Sequence, residues 1–121
     1  MSPAWGARVF LAQDKGLPIA LIWNQGSYIN SYYYIMTGAP HLEEAYKFKD
    51  FLCKAMPQAA VAMEIPYGPS NKKALDLIPD AQRKRLSTYP ENLKVMFPLD
   101  GEWLGKHYDE INDRWQKFMI M

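Results

Sequence analysis

The sequence predicts a predominantly helical α+β fold of about six helices and two short strands. Three observations carry this. Apolar residues recur at helical spacing over residues 41–56 and 100–119. Two short apolar or aromatic runs, 17–23 and 28–36, are bounded by turn residues and are too short for helices of that kind. Finally, 49% of the 121 residues are hydrophobic and 14% aromatic, enough to fold as one domain over residues 1–121.

The first helix is expected over residues 2–14. Ser2 can cap it, Pro3 suits its first position, Trp5, Val9 and Ala12 share a face, and Gly16 supplies the stop. Leu17-Pro18-Ile19-Ala20-Leu21-Ile22-Trp23 reads as a strand covered on both faces, with Pro18 tolerable only near its start or on an edge. Asn24-Gln25-Gly26-Ser27 breaks it, and a second extended segment, rich in tyrosine and isoleucine, runs over 28–36. The clearest helix follows over 41–56. Ala45, Phe48, Leu52 and Ala55 form its stripe, Glu43 and Glu44 lie in its first turn and Lys54 in its last, as the helix dipole favours. Pro57 is expected to stop it and to open the next helix over 58–64.

A Pro/Gly loop spans 65–71, and Ser70 or Asn71 can cap a short helix through Leu77. Another helix is expected from Pro79 to about Leu86, then a turn over 89–92 leading to Leu93-Lys94-Val95-Met96-Phe97. The last helix, 100–119, carries Trp103, His107, Ile111, Trp115 and Phe118 at near-helical spacing, with both tryptophans expected in the core. Two short strands do not make a stable sheet. They must pack on helices or find strands elsewhere.

The composition excludes several function classes. A net charge of +1, from 14 basic and 13 acidic residues, gives no basic face for a nucleic acid. The one basic cluster, Lys72, Lys73, Arg83, Lys84 and Arg85, reads as a solvated helical surface. Cys53 is the only cysteine and sits in an apolar stripe, where a buried inert thiol is expected. His41 and His107 are linked to it by no motif. Asp109 and Glu110 near His107 have no nucleophile beside them, so no enzyme is expected. No His or Cys spacing suits a metal, and no cofactor is expected. No apolar run reaches the roughly 18 residues of a membrane span.

At this point an ordered set of segments carries a resemblance. Gly38-Ala39-Pro40-His41-Leu42-Glu43-Glu44-Ala45-Tyr46-Lys47-Phe48-Lys49-Asp50-Phe51-Leu52, Ile65-Pro66-Tyr67-Gly68-Pro69-Ser70-Asn71-Lys72-Lys73-Ala74 and Tyr89-Pro90-Glu91-Asn92-Leu93 come in that order. Ala4-Trp5-Gly6-Ala7-Arg8-Val9 precedes them, and Glu102-Trp103 and Asn112-Asp113-Arg114-Trp115 follow. Over nearly its whole length the chain resembles the C-terminal third of spermidine/putrescine-type extracellular solute-binding proteins of ABC transporters. The resemblance implies a partial type II periplasmic-binding-protein-like fold: two α/β lobes joined by a hinge, with solute held between them.

It also implies site residues. In the family, the segment after a Trp-Asn-Glu-Gly motif supplies acidic and aromatic side chains to the cleft. The matching residues here are Trp23, Gln25, Tyr28, Ser31 and Tyr33. Gln25 stands where the family has glutamate, and Ser31 where aspartate is common. Both departures remove negative charge, and neutral oxygens compensate an ammonium poorly. The solute expected is an amine or amino-acid-like molecule. A homo-oligomer is expected as cover for the apolar faces, with an ABC permease as partner only for a complete receptor. The alternative is a structural or protein-interaction domain derived from such a receptor, without a small ligand. The resemblance places the protein in the periplasm. Met1-Ser2-Pro3-Ala4-Trp5 lacks an export signal, which would keep the chain in the cytoplasm if Met1 is its native start.

Overall fold

The computed structural model describes residues 3–120. Among them lie eight helices and one two-stranded sheet, so the helical α+β class holds. Helix α1 covers Gly6–Asp14 and buries Ala7 and Val9. Its expected cap, Ser2, lies outside the described residues. Its end is a Schellman turn: Gly16, at φ +84°, donates to the Gln13 carbonyl at 2.8 Å, and Leu17 donates to Ala12 at 3.1 Å.

Residues 17–23 form no regular element, so the expected strand is absent. A strand needs a paired neighbour, and this run has none. Instead Ile19 donates back to Leu17 at 2.9 Å, and the Gln13 side-chain amide takes the Ile19 carbonyl at 2.6 Å. Pairing begins only at strand β1, Ser27–Tyr28. Its partner is strand β2, Phe97–Pro98, lying parallel with Ser27 opposite Phe97 and Tyr28 opposite Pro98. The second extended run therefore contributes its first residue to the sheet, and 29–36 continue unpaired.

The predicted helix over 41–56 ends earlier. Helix α2 is Leu42–Leu52, and helix α3 is Ala55–Glu64. Pro57 does not stop a helix; it sits in the first turn of α3, where an amide hydrogen would have no intrahelical acceptor. The break falls at Cys53 and Lys54, so Lys54 leads into α3 rather than closing α2. Cys53 is exposed there, not buried.

Three one-turn helices follow: α4 (Lys72–Leu75), α5 (Asp80–Arg83) and α6 (Pro90–Leu93). The last forms where a turn was expected. Asn71 caps α4, its side-chain oxygen accepting from the Lys73 amide at 3.1 Å. The predicted terminal helix is split at His107 into α7 (Gly101–Lys106) and α8 (Tyr108–Met119). Asp100 caps α7 by accepting from the Trp103 amide at 2.9 Å.

The core lies between α3, α4 and the stretch after α5. It consists of Ala59, Ala62, Ala74, Ile78 and Leu86, with Ala55 and Leu75 half-buried against it. Leu86 is the one large side chain fully buried among the described residues. Trp103 and Trp115 are not core residues: both are about half exposed, one stacked on His107 and the other against Phe118. Their helices face outward because nothing among the described residues lies opposite the apolar stripe.

Candidate functional site

The expected site begins where the chain turns after residues 17–23. Trp23 is half-buried. Its ring meets Phe10 at a centroid distance of 6.1 Å. Gly6 lets α1 approach it: a Cβ there would lie 3.1 Å from the Trp23 ring and 3.3 Å from Leu21. The indole is thus seated against the start of α1.

Residues 23–26 form a tight turn. The Gly26 amide donates to the Trp23 carbonyl at 2.8 Å. Gln25 sits at φ 61°, a left-handed conformation uncommon for a residue with a side chain. Neighbouring bonds hold it: its amide donates to Val95 at 2.9 Å, and the Gly26 carbonyl accepts from Phe97 at 3.0 Å. The next carbonyl, that of Tyr28, accepts from Leu99 at 2.9 Å. Strained backbone persists where its surroundings over-determine it. Here the parallel pair fixes the path of Gln25 and Tyr28, and packing on α1 fixes Trp23.

Ser31 and Tyr33 are placed differently. Both project from the unpaired run 29–36 and are exposed. Tyr33 lines an open hollow of about 190 Å3 with Tyr34, Ile35, Ala45, Phe48, Lys49 and Leu52, against α2. The structure joins Trp23, Gln25 and Tyr28 on one backbone frame, and leaves Ser31 and Tyr33 on the free continuation of it.

The polar joints elsewhere come from Gln58, which no sequence pattern marked, and from Asn71 and Asn92, marked only as a cap and a turn residue. Gln58 donates to the Leu52 carbonyl at 2.9 Å and accepts from the Asn71 amide at 2.8 Å. The Asn71 side chain donates to the Cys53 carbonyl at 2.8 Å. These bonds close the α2–α3 break and fasten the 65–71 loop to it. Asn92 does the same after α5, donating to the Lys84 and Leu86 carbonyls at 2.9 and 2.8 Å. Gly68 lies so close to the next segment that a Cβ would fall 2.6 Å from Thr88 and 2.8 Å from Ser87.

The basic cluster divides. Arg83 and Lys84 are paired with Asp80 at the surface, at 2.8 and 2.6 Å. Hydrogen bonds from Lys84 and then Arg83 hold the Asp80 carboxyl below its ordinary range. The same bonds to Asp80 raise both cations. Arg85 is no solvated charge. It donates to the Phe10 carbonyl at 3.1 Å and to Asp14 at 2.8 Å, with its guanidinium 4.6 Å from the Phe10 ring. It ties α1, and with it the seat of Trp23, to the core. A separation of 71 residues between Arg85 and Asp14 left no local signal for this.

No group of three or more metal-ligating side chains comes together among the described residues. No helix among them is long and apolar enough to cross a membrane.

Comparison with known proteins agrees with this frame. The profile of the family described as bacterial extracellular solute-binding protein matches residues 1–91. A γ-aminobutyric acid-binding protein of Pseudomonas aeruginosa is 32% identical over 114 residues, covering 94% of this chain and 32% of its own length. The solved structure of the periplasmic binding protein AgtB from A. tumefaciens R10, in complex with agropinic acid, superposes with a TM-score of 0.74 at 32% identity. That match covers 96% of this chain and 37% of AgtB. The chain thus spans about a third of the length of these relatives, both of which are named as binding proteins. The spermidine/putrescine type is not singled out by these matches; the broader membership is plain, and the chain belongs to the bacterial extracellular solute-binding protein family.

Proposed function

We propose that this chain, acting as a single domain, supplies one wall of a capture site for a small carboxylate-bearing solute of the amino-acid type. The receptor would work outside the cytoplasmic membrane and deliver its solute to an ABC permease. The carrying observation is the chemistry of the five expected site residues. Trp23, Gln25, Tyr28, Ser31 and Tyr33 are all uncharged, and four of them offer amide or hydroxyl donors. A polyamine requires carboxylates to replace lost hydration, and none of these residues provides one. A solute carboxylate is served by N–H and O–H donors, while aromatic rings cover its carbon chain. The relatives point the same way, since γ-aminobutyric acid and agropinic acid, the ligands in their names, are both acids.

A concave site needs more than one wall, so the test uses the chain alone and together with complementary receptor polypeptide. Calorimetry with γ-aminobutyrate, glutamate, putrescine and spermidine should show heat for a carboxylate ligand and none for the polyamines. Tighter binding of spermidine would refute the carboxylate preference. Silence across the panel in both forms would remove solute capture. It would leave a second reading, a protein-interaction domain, which the many exposed large apolar side chains favour.

A further inference from the structure

Helix α8 buries none of its residues and packs chiefly on α7. Tyr108, Ile111, Trp115, Phe118 and Met119 fall on one face of it, each between about two-fifths and two-thirds exposed. The start of the helix is fixed. The His107 ring stacks on Trp103 at a centroid distance of 4.3 Å, and its Nδ1 lies 2.8 Å from the Trp103 carbonyl oxygen. The Ile111 amide then donates to the His107 carbonyl at 3.0 Å. An aromatic side chain carries roughly 150–250 Å2. At these exposures Tyr108, Trp115 and Phe118 alone present roughly 300–450 Å2. A monomer seldom leaves a larger apolar patch open. This is about half of the roughly 800 Å2 that one partner brings to a standard interface, with flanking polar residues to form the rim.

The order of residues along the helix identifies the occupant. Tyr108 and Phe118 stand five residues either side of Asp113, and Ile111 and Trp115 two residues either side of it. Charge divides about the same point: Asp109 and Glu110 precede it, Arg114 and Lys117 follow it. A two-fold contact sets residue i against j and j against i. Laid antiparallel on a copy of itself, α8 would place each Ile111 opposite a Trp115 and each Tyr108 opposite a Phe118. It would bring each acidic half beside a basic one and run the two helix dipoles in opposition. Glu110 and Arg114 flank one edge of the face and meet only at 3.8 Å within their own helix; across the two-fold each would gain a reciprocal partner. A parallel pair would stack like charges. A lipid surface fits less well, since membrane-lying helices carry mainly Lys and Arg beside their apolar face, whereas α8 carries three acidic and two basic residues. We infer that α8 is a self-association surface through which two copies of this chain form an antiparallel, two-fold dimer. The inference uses neither the solute nor its site, so it stands or falls apart from the proposed function.

The experiment is sedimentation velocity of the full chain from micromolar to several hundred micromolar. The expected result is a concentration-dependent passage from monomer to dimer. Trp115→Glu puts a helix-favouring residue on the face, so the circular dichroism should stay unchanged while the dimer weakens at least tenfold. Glu110→Arg sets arginines against each other across the two-fold and should weaken the dimer about threefold or more. Adding Arg114→Glu to that variant restores opposite charges there and should recover the parent affinity. A chain monomeric throughout, a dimer indifferent to either single variant, or a loss from Glu110→Arg that Arg114→Glu does not reverse would each overturn the inference. So would a monomer that instead binds phosphatidylcholine vesicles through Trp115, which would give the face to a lipid surface.

Discussion

Leu86→Ala tests where the stability of this chain resides. Leu86 is fully buried, and its neighbours in the core are Ala59, Ala62, Ala74 and Ile78. Removing three carbons from such a site loses about 0.8 kcal/mol per methylene in transfer. A cavity term adds to that, and it is large where the walls cannot collapse. Three of the four walls are alanines, two of them in the middle of α3, and an alanine has no rotamer with which to fill a hole. We therefore expect the upper half of the usual Leu→Ala range, about 3–4 kcal/mol. The control is Ile22→Ala, at a residue 68% exposed, which should change stability by about 0.5 kcal/mol or less. Urea denaturation followed by far-ultraviolet circular dichroism would read both. If Leu86→Ala and Ile22→Ala shifted the midpoint equally, the core would not lie between α3, α4 and residue 86.

Three further outcomes follow from the joints. Gly68→Ala drives a methyl group into Thr88 and Ser87, and thermal melting should show a loss of about 1–3 kcal/mol; an unchanged or raised melting point would contradict that close approach. Asn71→Ala removes both the α4 cap and the bond to the Cys53 carbonyl, so chemical denaturation should register about 1–2 kcal/mol, with Asn71→Asp restoring the cap but not the bond. Asp80 has a lowered folded-state pKa, so its pairing with Lys84 and Arg83 stabilises above the unfolded carboxylate pKa and is lost as pH falls through the folded value. Stability against pH for Asp80→Asn should differ from the parent above that window and converge with it in acid; equal curves throughout would mean the exposed pairs contribute nothing.

Much of the helical frame was legible because helical signals are local. Gly16 stops α1, Asn71 caps α4 and the acidic first turn of α2 stands where the pattern put it. The strands were less legible for a physical reason. The run 17–23 has the composition of a strand but no neighbour, and composition cannot supply one. The actual partner of β1, Phe97–Pro98, lies some 70 residues on. Burial failed for the same reason at Cys53, Trp103 and Trp115, since apolar periodicity marks a face that wants cover without saying whether the same chain provides it. Of the expected site, the turn residues announce a tight reversal in sequence. The left-handed Gln25, held from Val95 and Phe97, depends on pairing that no local pattern encodes.

The segments that carried the resemblance explain why family membership was readable while the ligand was not. Asn71 and Gly68 of the Tyr67-Gly68-Pro69-Ser70-Asn71 loop, and Asn92 of the Tyr89-Pro90-Glu91-Asn92 turn, act as joints. They satisfy carbonyls where helices end, or admit a neighbouring backbone. Such positions tolerate few residue types, because an unpaired carbonyl or a clashing Cβ costs stability whatever the solute. The side chains of Gln25 and Ser31 in the expected site carry no such burden. Gln25 needs its backbone held, not a particular side-chain charge, and Ser31 is exposed on an unpaired run. Exchange of a carboxylate for an amide or hydroxyl there leaves the fold intact. The motif therefore reports the scaffold, and under the proposed function solute choice would be set at positions the scaffold leaves free.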